Sequence, residues 1–155
     1  MPGKQLTVAL SLAAMSLAAC SEQHATASNP KICTDFKAKA AVATAAPIAD
    51  GSAPTDDCAR RWAYSLAPSR DGAEVVAEAV VAACNTTLGH WNQQAMQLPM
   101  DGQMGASLTT GEPTTPMGEH NNFLRSRALL YVVQARAGAC APPPATNGAP
   151  DGVAS

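Results

Sequence analysis

Five cysteines constrain the fold of this 155-residue chain more than any other feature, and they are Cys20, Cys33, Cys58, Cys84 and Cys140. No two of them have the Cys-x-x-Cys spacing of a zinc knuckle or a thioredoxin-like redox site, which disfavours metal binding through these residues. Cys20 ends an apolar run near the start of the chain and is considered separately below. The other four cysteines form an even set. In an exported protein such a set predicts two disulfides, which help to stabilise a small core.

The first 19 residues have the pattern of an export signal. Lys4 supplies a positive charge, and residues 6–19 are uncharged and mostly Leu, Ala, Val and Met. That run is shorter than the roughly 20 apolar residues a membrane-spanning helix needs, and polar residues follow it at once. Residues 1–19 therefore predict a cleaved signal peptide rather than a transmembrane anchor.

Leu17, Ala18, Ala19 and Cys20 close this run, and together they resemble the lipobox of bacterial lipoproteins. The resemblance implies that diacylglycerol is attached to the Cys20 thiol, that cleavage occurs before Cys20, and that the new amino group is acylated. At about 0.8 kcal/mol per buried methylene, two or more acyl chains hold a protein stably on a membrane. Ser21 stands where an inner-membrane retention signal typically has Asp, so the resemblance favours the periplasmic side of the outer membrane over the inner membrane.

A second interpretation is conventional cleavage after Ala27, because Ala25 and Ala27 form a small-x-small site. That cut would discard Cys20 and release a soluble periplasmic protein. The segment before it contains Glu22 and His24, which is unusual for a signal peptide. We therefore favour the lipoprotein.

The charge of the mature chain argues against a nucleic-acid partner. Without residues 1–19, the chain has nine basic and twelve acidic residues, a formal net charge of −3. Binding to nucleic acid calls for a basic face, whereas the arginines here are scattered. The expected membrane contact is the lipid on Cys20.

Composition divides the mature chain into three parts. Residues 20–54 are rich in Ala, Ser, Thr and Pro and predict a flexible lipidated tether, although the patch at 32–36 can dock on the core if its cysteine is bridged. Residues 55–140 carry helical periodicity and predict one small domain stapled by disulfides. Three consecutive prolines follow, and residues 141–155 predict a disordered tail.

The core predicts an all-α fold of three helices, a helical hairpin followed by a third, antiparallel helix. The first opens near Pro54, where a capping Thr and two Asp follow, and it ends before Pro68. The second opens with the capping-box pattern of Asp71 and Glu74 and is expected to run as one long helix to Pro99.

The third helix is expected from about Asn122 to Gly138, where glycine and the prolines beyond it end the helix. Its apolar side is predicted to carry Phe123, Leu130, Val133 and Ala137.

Helix geometry suggests how four of the cysteines pair. In a hairpin folded at residues 67–71, Cys58 lies about 12 Å and Cys84 about 16 Å from the turn, so the two are nearly level. Cys58–Cys84 is therefore the favoured bridge, and Cys33–Cys140 would then join the two ends of the domain. A Cys84–Cys140 bridge stays open, because an antiparallel third helix also brings these two together and four cysteines permit three connectivities.

The sequences RWAYSLA at 61–67 and VVAEAVVAAC at 75–84 resemble short uncharacterised exported proteins of proteobacteria. The resemblance spans about Cys58 to Cys140. It implies this architecture and carries no activity with it.

Few core residues are candidates for chemistry. His90 and His120 belong to neither a His-x3-His nor a Glu-x2-His ligand pair, and we interpret both as surface or capping residues. The sequence contains neither a Gly-x-Ser-x-Gly elbow nor a Gly-rich phosphate loop. It therefore predicts no catalytic residue, no cofactor and no metal site.

Methionines provide an alternative to that prediction. Met96, Met100 and Met104 are spaced by four, and Met117 and His120 follow them. Thioethers are soft ligands that suit Cu(I), so a periplasmic copper-binding protein is an alternative function. The simpler interpretation is that these flexible side chains fill gaps between a loop and the helices.

The sequence favours a lipid-anchored, non-catalytic envelope module that presents a helical face to a protein or to cell-wall material. A hydrolase that lacks a recognisable motif is a further alternative. Contact is expected in the connection at residues 99–121, because long loops within small domains often carry function.

Overall fold

The computed structural model describes residues 28–36, 51–97, 105–107 and 110–153, and it is mainly helical, as predicted. Four helices form the domain, and two pairs of very short antiparallel strands accompany them. In chain order the elements are α1 (Ser52–Leu66), α2 (Ala73–Ala83), α3 (Asn85–Met96), β1 (Gly105–Ala106), β2 (Pro113–Thr114), α4 (Pro116–Ala137), β3 (Ala145–Thr146) and β4 (Ala149–Pro150). Among the described residues, no helix is long and apolar enough to cross a bilayer.

Helix α1 begins slightly earlier than its expected start at Pro54. Its first turn includes Thr55, which is fully buried and donates a hydrogen bond from its hydroxyl to the Gly51 carbonyl over 2.8 Å. Thr55 is therefore part of the helix rather than its cap. The buried face continues through Cys58 and Ala63, and Leu66 packs against the edge of the core.

The single long second helix expected from the sequence is two helices, α2 and α3, which meet at Cys84. The backbone of Cys84 leaves the helical region, with φ −98° and ψ 11°. The Thr87 hydroxyl bonds to the Cys84 carbonyl over 2.8 Å, so a side chain engages the backbone at the new helix start. The expected capping box is also absent: the N-cap of α2 is Gly72 rather than Asp71, and glycine has no side chain that could cap the helix.

Helix α4 begins at Pro116, six residues before the predicted start. The Thr115 hydroxyl accepts a hydrogen bond from the Gly118 amide over 3.2 Å, and proline at the first helical position fits this cap. The apolar periodicity that predicts this helix begins only near Asn122, because the segment before Asn122 contains few apolar residues.

The prediction of which side of α4 is buried is wrong. Leu130 and Val133 are each 50 % exposed. The side that packs onto the other helices carries a different set: Leu124, Ala128, Tyr131, Val132 and Ala135. Apolar residues occur on both sides of this helix, so its periodicity did not identify the buried side.

Two disulfides join distant parts of the chain, and they are the pair that helix geometry favoured. Cys58–Cys84 ties α1 to the junction of α2 and α3, and Cys33–Cys140 ties the segment at 28–36 to the residues after α4. The alternative Cys84–Cys140 bridge does not form, because Cys84 is bonded to Cys58. The docked patch at 32–36 is also confirmed, since Phe36 meets the Tyr64 ring edge-on at 5.1 Å between ring centroids.

Residues 141–153, predicted to be disordered, are ordered. Strands β3 and β4 form a hairpin whose turn residues, Asn147 and Gly148, both have positive φ, the conformation that Asn-Gly favours in a type I′ turn. Arg61 donates a hydrogen bond to the Asp151 carbonyl over 2.7 Å, and Val153 packs against the core. Composition suggested disorder, but this turn and its contacts with α1 fix the segment.

Candidate functional site

A groove lies between α3 and the start of α1. It encloses about 330 Å³, and no Asp, Glu, Lys or Arg side chain lines it. The lining residues are Gly51, Pro54, Thr87, His90, Trp91, Gln93, Gln94 and Gln97. Small-molecule and peptide sites are typically concave, with a few polar groups on an apolar wall, and this groove has that character.

The side chains of one α3 face bring the polar lining together. His90, Gln94 and Gln97 follow one another at steps of four and three, which places them on one side of a helix. Gln93 borders the same face. All four side chains are exposed, and each glutamine amide can both donate and accept hydrogen bonds.

Trp91 forms a fixed wall of the groove. His120 of α4 stacks on its indole with ring centroids 3.7 Å apart and an interplanar angle of 12°, and Phe123 meets it edge-on at 5.4 Å. Gly51 lies so close that a Cβ there would be 2.4 Å from the indole Cγ and Cδ1. The ring is therefore held by neighbours from two other parts of the chain.

The histidines have different surroundings. His90 is exposed at the groove, in agreement with the surface role expected for it. The His120 Nδ1 and the Asn92 Oδ1 are 2.8 Å apart, so this imidazole is part of the contact between α3 and α4. That packing role was missed, because Asn92 and His120 are 28 residues apart and no local pattern links them.

A second polar cluster, partly buried, joins α1 to α4. The Tyr131 hydroxyl donates to Asp56 over 2.7 Å, and the Arg60 guanidinium contacts the same carboxylate at 2.7 Å and the Tyr131 oxygen at 3.0 Å. Arg127 completes it, with its Nε 3.3 Å from Asp56 Oδ1. The Asp56 carboxylate and the Tyr131 hydroxyl are hydrogen-bonded within the cluster, so it packs α1 against α4. Among the described residues, the Arg60 Nε is buried without a hydrogen-bond partner.

Ionisation is altered in this cluster. Burial, and then the hydrogen bond donated to Asp56, raise the pKa of Tyr131 above its ordinary value of 10.0. Burial lowers the pKa of Arg60, but the hydrogen bond to Tyr131 and the Asp56 charge outweigh that effect, so the net shift is upward. Both groups therefore keep their protons at neutral pH, and neither is suited to act as a general base there.

Several residues singled out from the sequence lie outside the described residues: Cys20, Met100 and Met104. Of the remaining methionines, Met96 is 58 % exposed and Met117 is 43 % exposed, so neither fills a core gap. In the part of the chain that the structure describes, no three His, Cys, Asp or Glu side chains are grouped so that they could hold a metal ion.

The groove was not predicted from the sequence, which placed contact in the connection at 99–121. The helical spacing of His90, Gln94 and Gln97 is visible in the sequence, but Gly51 and Pro54 join them only through the fold. Comparisons with protein-family models, with curated proteins and with solved structures found no significant match.

Proposed function

We propose that this chain is a lipid-anchored, non-catalytic binding module of the bacterial envelope. The observation that supports the lipid anchor is the pairing of the cysteines. Two disulfides use four of the five cysteines, and Cys20, at the end of the apolar run, belongs to neither. Disulfides also fit an oxidising compartment such as the periplasm. Ser21 after the cysteine favours the outer membrane as the destination.

The groove is the contact surface of this module, and its partner is an uncharged segment of another envelope protein. Three glutamine amides can pair with the N–H and C=O groups of a peptide, and Pro54 and Trp91 supply an apolar wall. A cell-wall glycan is less well matched, because sugars bind well to an open aromatic face. Trp91 already has His120 stacked on its indole.

Lipidation is tested by metabolic labelling with palmitate in a bacterial host, comparing the natural chain with Cys20→Ser. We expect label and membrane attachment in the first and neither in the second. The intact mass of the labelled chain gives its cleavage site, and density fractionation separates outer from inner membrane. A mature chain that begins after Ala27 and carries no lipid would contradict the anchor while leaving the domain unchanged.

The contact surface is tested by placing a photo-crosslinking amino acid at Gln94 in intact cells, with Ser126, an exposed residue of α4, as the control position. We expect a discrete protein adduct from Gln94 and none from Ser126. Gln93→Glu together with Gln97→Glu adds charge beside an uncharged partner and should remove the adduct.

Two outcomes would overturn this assignment. An adduct that a muramidase converts to small fragments would identify cell-wall material as the partner. Equal adducts from Gln94 and Ser126 would show that the groove has no special role.

A further inference from the structure

The contacts between α3 and α4 fix which residues of the two helices lie level with one another. Asn92 contacts His120 over 2.8 Å, and Trp91 contacts both His120 and Phe123. A later residue of α3 therefore meets an earlier residue of α4, as in any antiparallel pair.

One turn further along, the same register brings two methionines together. Met96 follows Asn92 by four residues and Met117 precedes His120 by three, and both steps keep a side chain on the same helix face. This register places Met96 and Met117 in the next layer along the α3/α4 pair, at the end where α3 finishes and α4 begins.

This methionine layer is open to solvent. Met96 is 58 % exposed and Met117 is 43 % exposed, so their burial contributes little to the core. Methionine usually fills irregular gaps in a protein interior. Two methionines that the register places in one layer of adjacent helices are therefore accessible to a ligand from solvent.

We propose that Met96 and Met117 bind a soft monovalent cation, Cu(I) or its analogue Ag(I), through their two thioether sulfurs. Thioethers are weak donors for hard cations such as Mg²⁺ or Ca²⁺ and suit soft ions, which accept low coordination numbers. The site differs from the run of three methionines considered from the sequence: it uses Met96 and replaces the other two with Met117. It is separate from the groove and from Cys20 and does not rest on the proposed function.

The test uses the full chain with Cys20→Ser, so that no free thiol competes for the ion. Methionine methyl groups labelled with ¹³C are followed by NMR while Ag(I) is added, and single Met→Leu variants assign each signal. We expect the Met96 and Met117 methyl signals to shift together and the other methionine signals to stay in place.

Matched double variants measure the affinity. Met96→Leu with Met117→Leu should weaken Ag(I) binding by at least about tenfold, since ligand loss costs no less than loss of a supporting contact. Met100→Leu with Met104→Leu is the control and should leave the affinity unchanged. Leucine has nearly the volume of methionine, so both variants should fold, which near-ultraviolet circular dichroism verifies.

The opposite pattern, in which Met100 and Met104 respond and Met117 does not, would overturn the proposed pair. Absence of any shift up to millimolar Ag(I) would overturn the site itself. The same titration with Cu(I) under anaerobic conditions should give the same pattern, because the two ions share their preference for sulfur.

Discussion

At the scale of single residues, the contact between Gly51 and Trp91 sets the shape of the groove. The indole is stacked by His120 and lies against the backbone at Gly51, where no side chain fits. Gly89, on α3, has open space where its side chain would be. The two glycines therefore respond differently to the same substitution.

We expect Gly51→Ala to lower the free energy of unfolding by about 1–3 kcal/mol, because its new methyl group overlaps Trp91. Gly89→Ala, inside a helix with nothing nearby, should raise that free energy by about 0.5–1 kcal/mol. Urea unfolding measures both. Similar effects of the two substitutions would contradict the close approach at Gly51.

Tyr131 gives a residue-scale prediction about pH. Its pKa is raised in the fold, so the folded chain keeps the phenol proton at pH values where an unfolded tyrosine has lost it. The stabilisation is fully present below about pH 10 and is lost as the pH rises from there through the folded pKa.

Comparing the natural chain with Tyr131→Phe isolates this contribution. We expect the free energy of unfolding to fall more steeply above pH 10 in the natural chain, because the variant lacks the phenol. At neutral pH the variant should be less stable by about 1–2 kcal/mol, since Asp56 loses a hydrogen bond. Parallel pH profiles for the two chains would show that the phenol is not held by Asp56.

At the scale of elements, α4 shows how a helix with apolar residues on two sides is oriented. Leu124 is fully buried, whereas Leu130 is half-exposed, although both are leucines in one helix. Both α1 and α2 pack against α4, and ion pairs join its flanks to the same two helices, Arg127 to Asp56 and Arg125 to Glu78.

Matched substitutions on the two sides of α4 test this orientation. Leu124→Ala should lower the free energy of unfolding by about 2–5 kcal/mol, because it leaves a cavity in the core. Leu130→Gln should change stability by no more than about 0.5 kcal/mol, because an exposed position tolerates a polar helix-former. Thermal and urea unfolding report both. A large loss of stability at Leu130 with a small loss at Leu124 would instead support the buried side predicted from the sequence.

At the scale of the whole molecule, the two disulfides differ in both span and exposure. Cys33–Cys140 links residues 107 apart, and Cys58–Cys84 links residues 26 apart. On a chain-entropy model, these loops correspond to about 4.8 and about 3.5 kcal/mol of stabilisation. Cys58 and Cys84 are 2 % and 1 % exposed, while the other pair is only partly buried.

We expect dithiothreitol under native conditions to open Cys33–Cys140 first, because a thiolate must reach a sulfur to attack it. Its loss should detach residues 28–36 and lower stability while the helices persist. Alkylation at timed intervals, followed by peptide mass mapping, gives the order. Cys58–Cys84 opening first would show that exposure does not control access. Cys33→Ser with Cys140→Ser should reproduce the stability loss without a reductant.

The sequence by itself determined the helical class, the approximate extent of the core and the favoured disulfide pair. These follow from local periodicity, from capping and proline signals, and from the level positions of Cys58 and Cys84 in a helical hairpin. Local patterns are sufficient there because each depends on residues a few positions apart.

Only the tertiary structure decided the break at Cys84, the buried side of α4, the ordering of 141–153 and the groove beside Trp91. The groove and the docking of 141–153 depend on contacts between residues far apart in the chain, such as Gly51 with Trp91 or Arg61 with Asp151. Periodicity shows that a side of a helix is apolar. Which of two apolar sides is buried depends on the neighbours that the fold supplies.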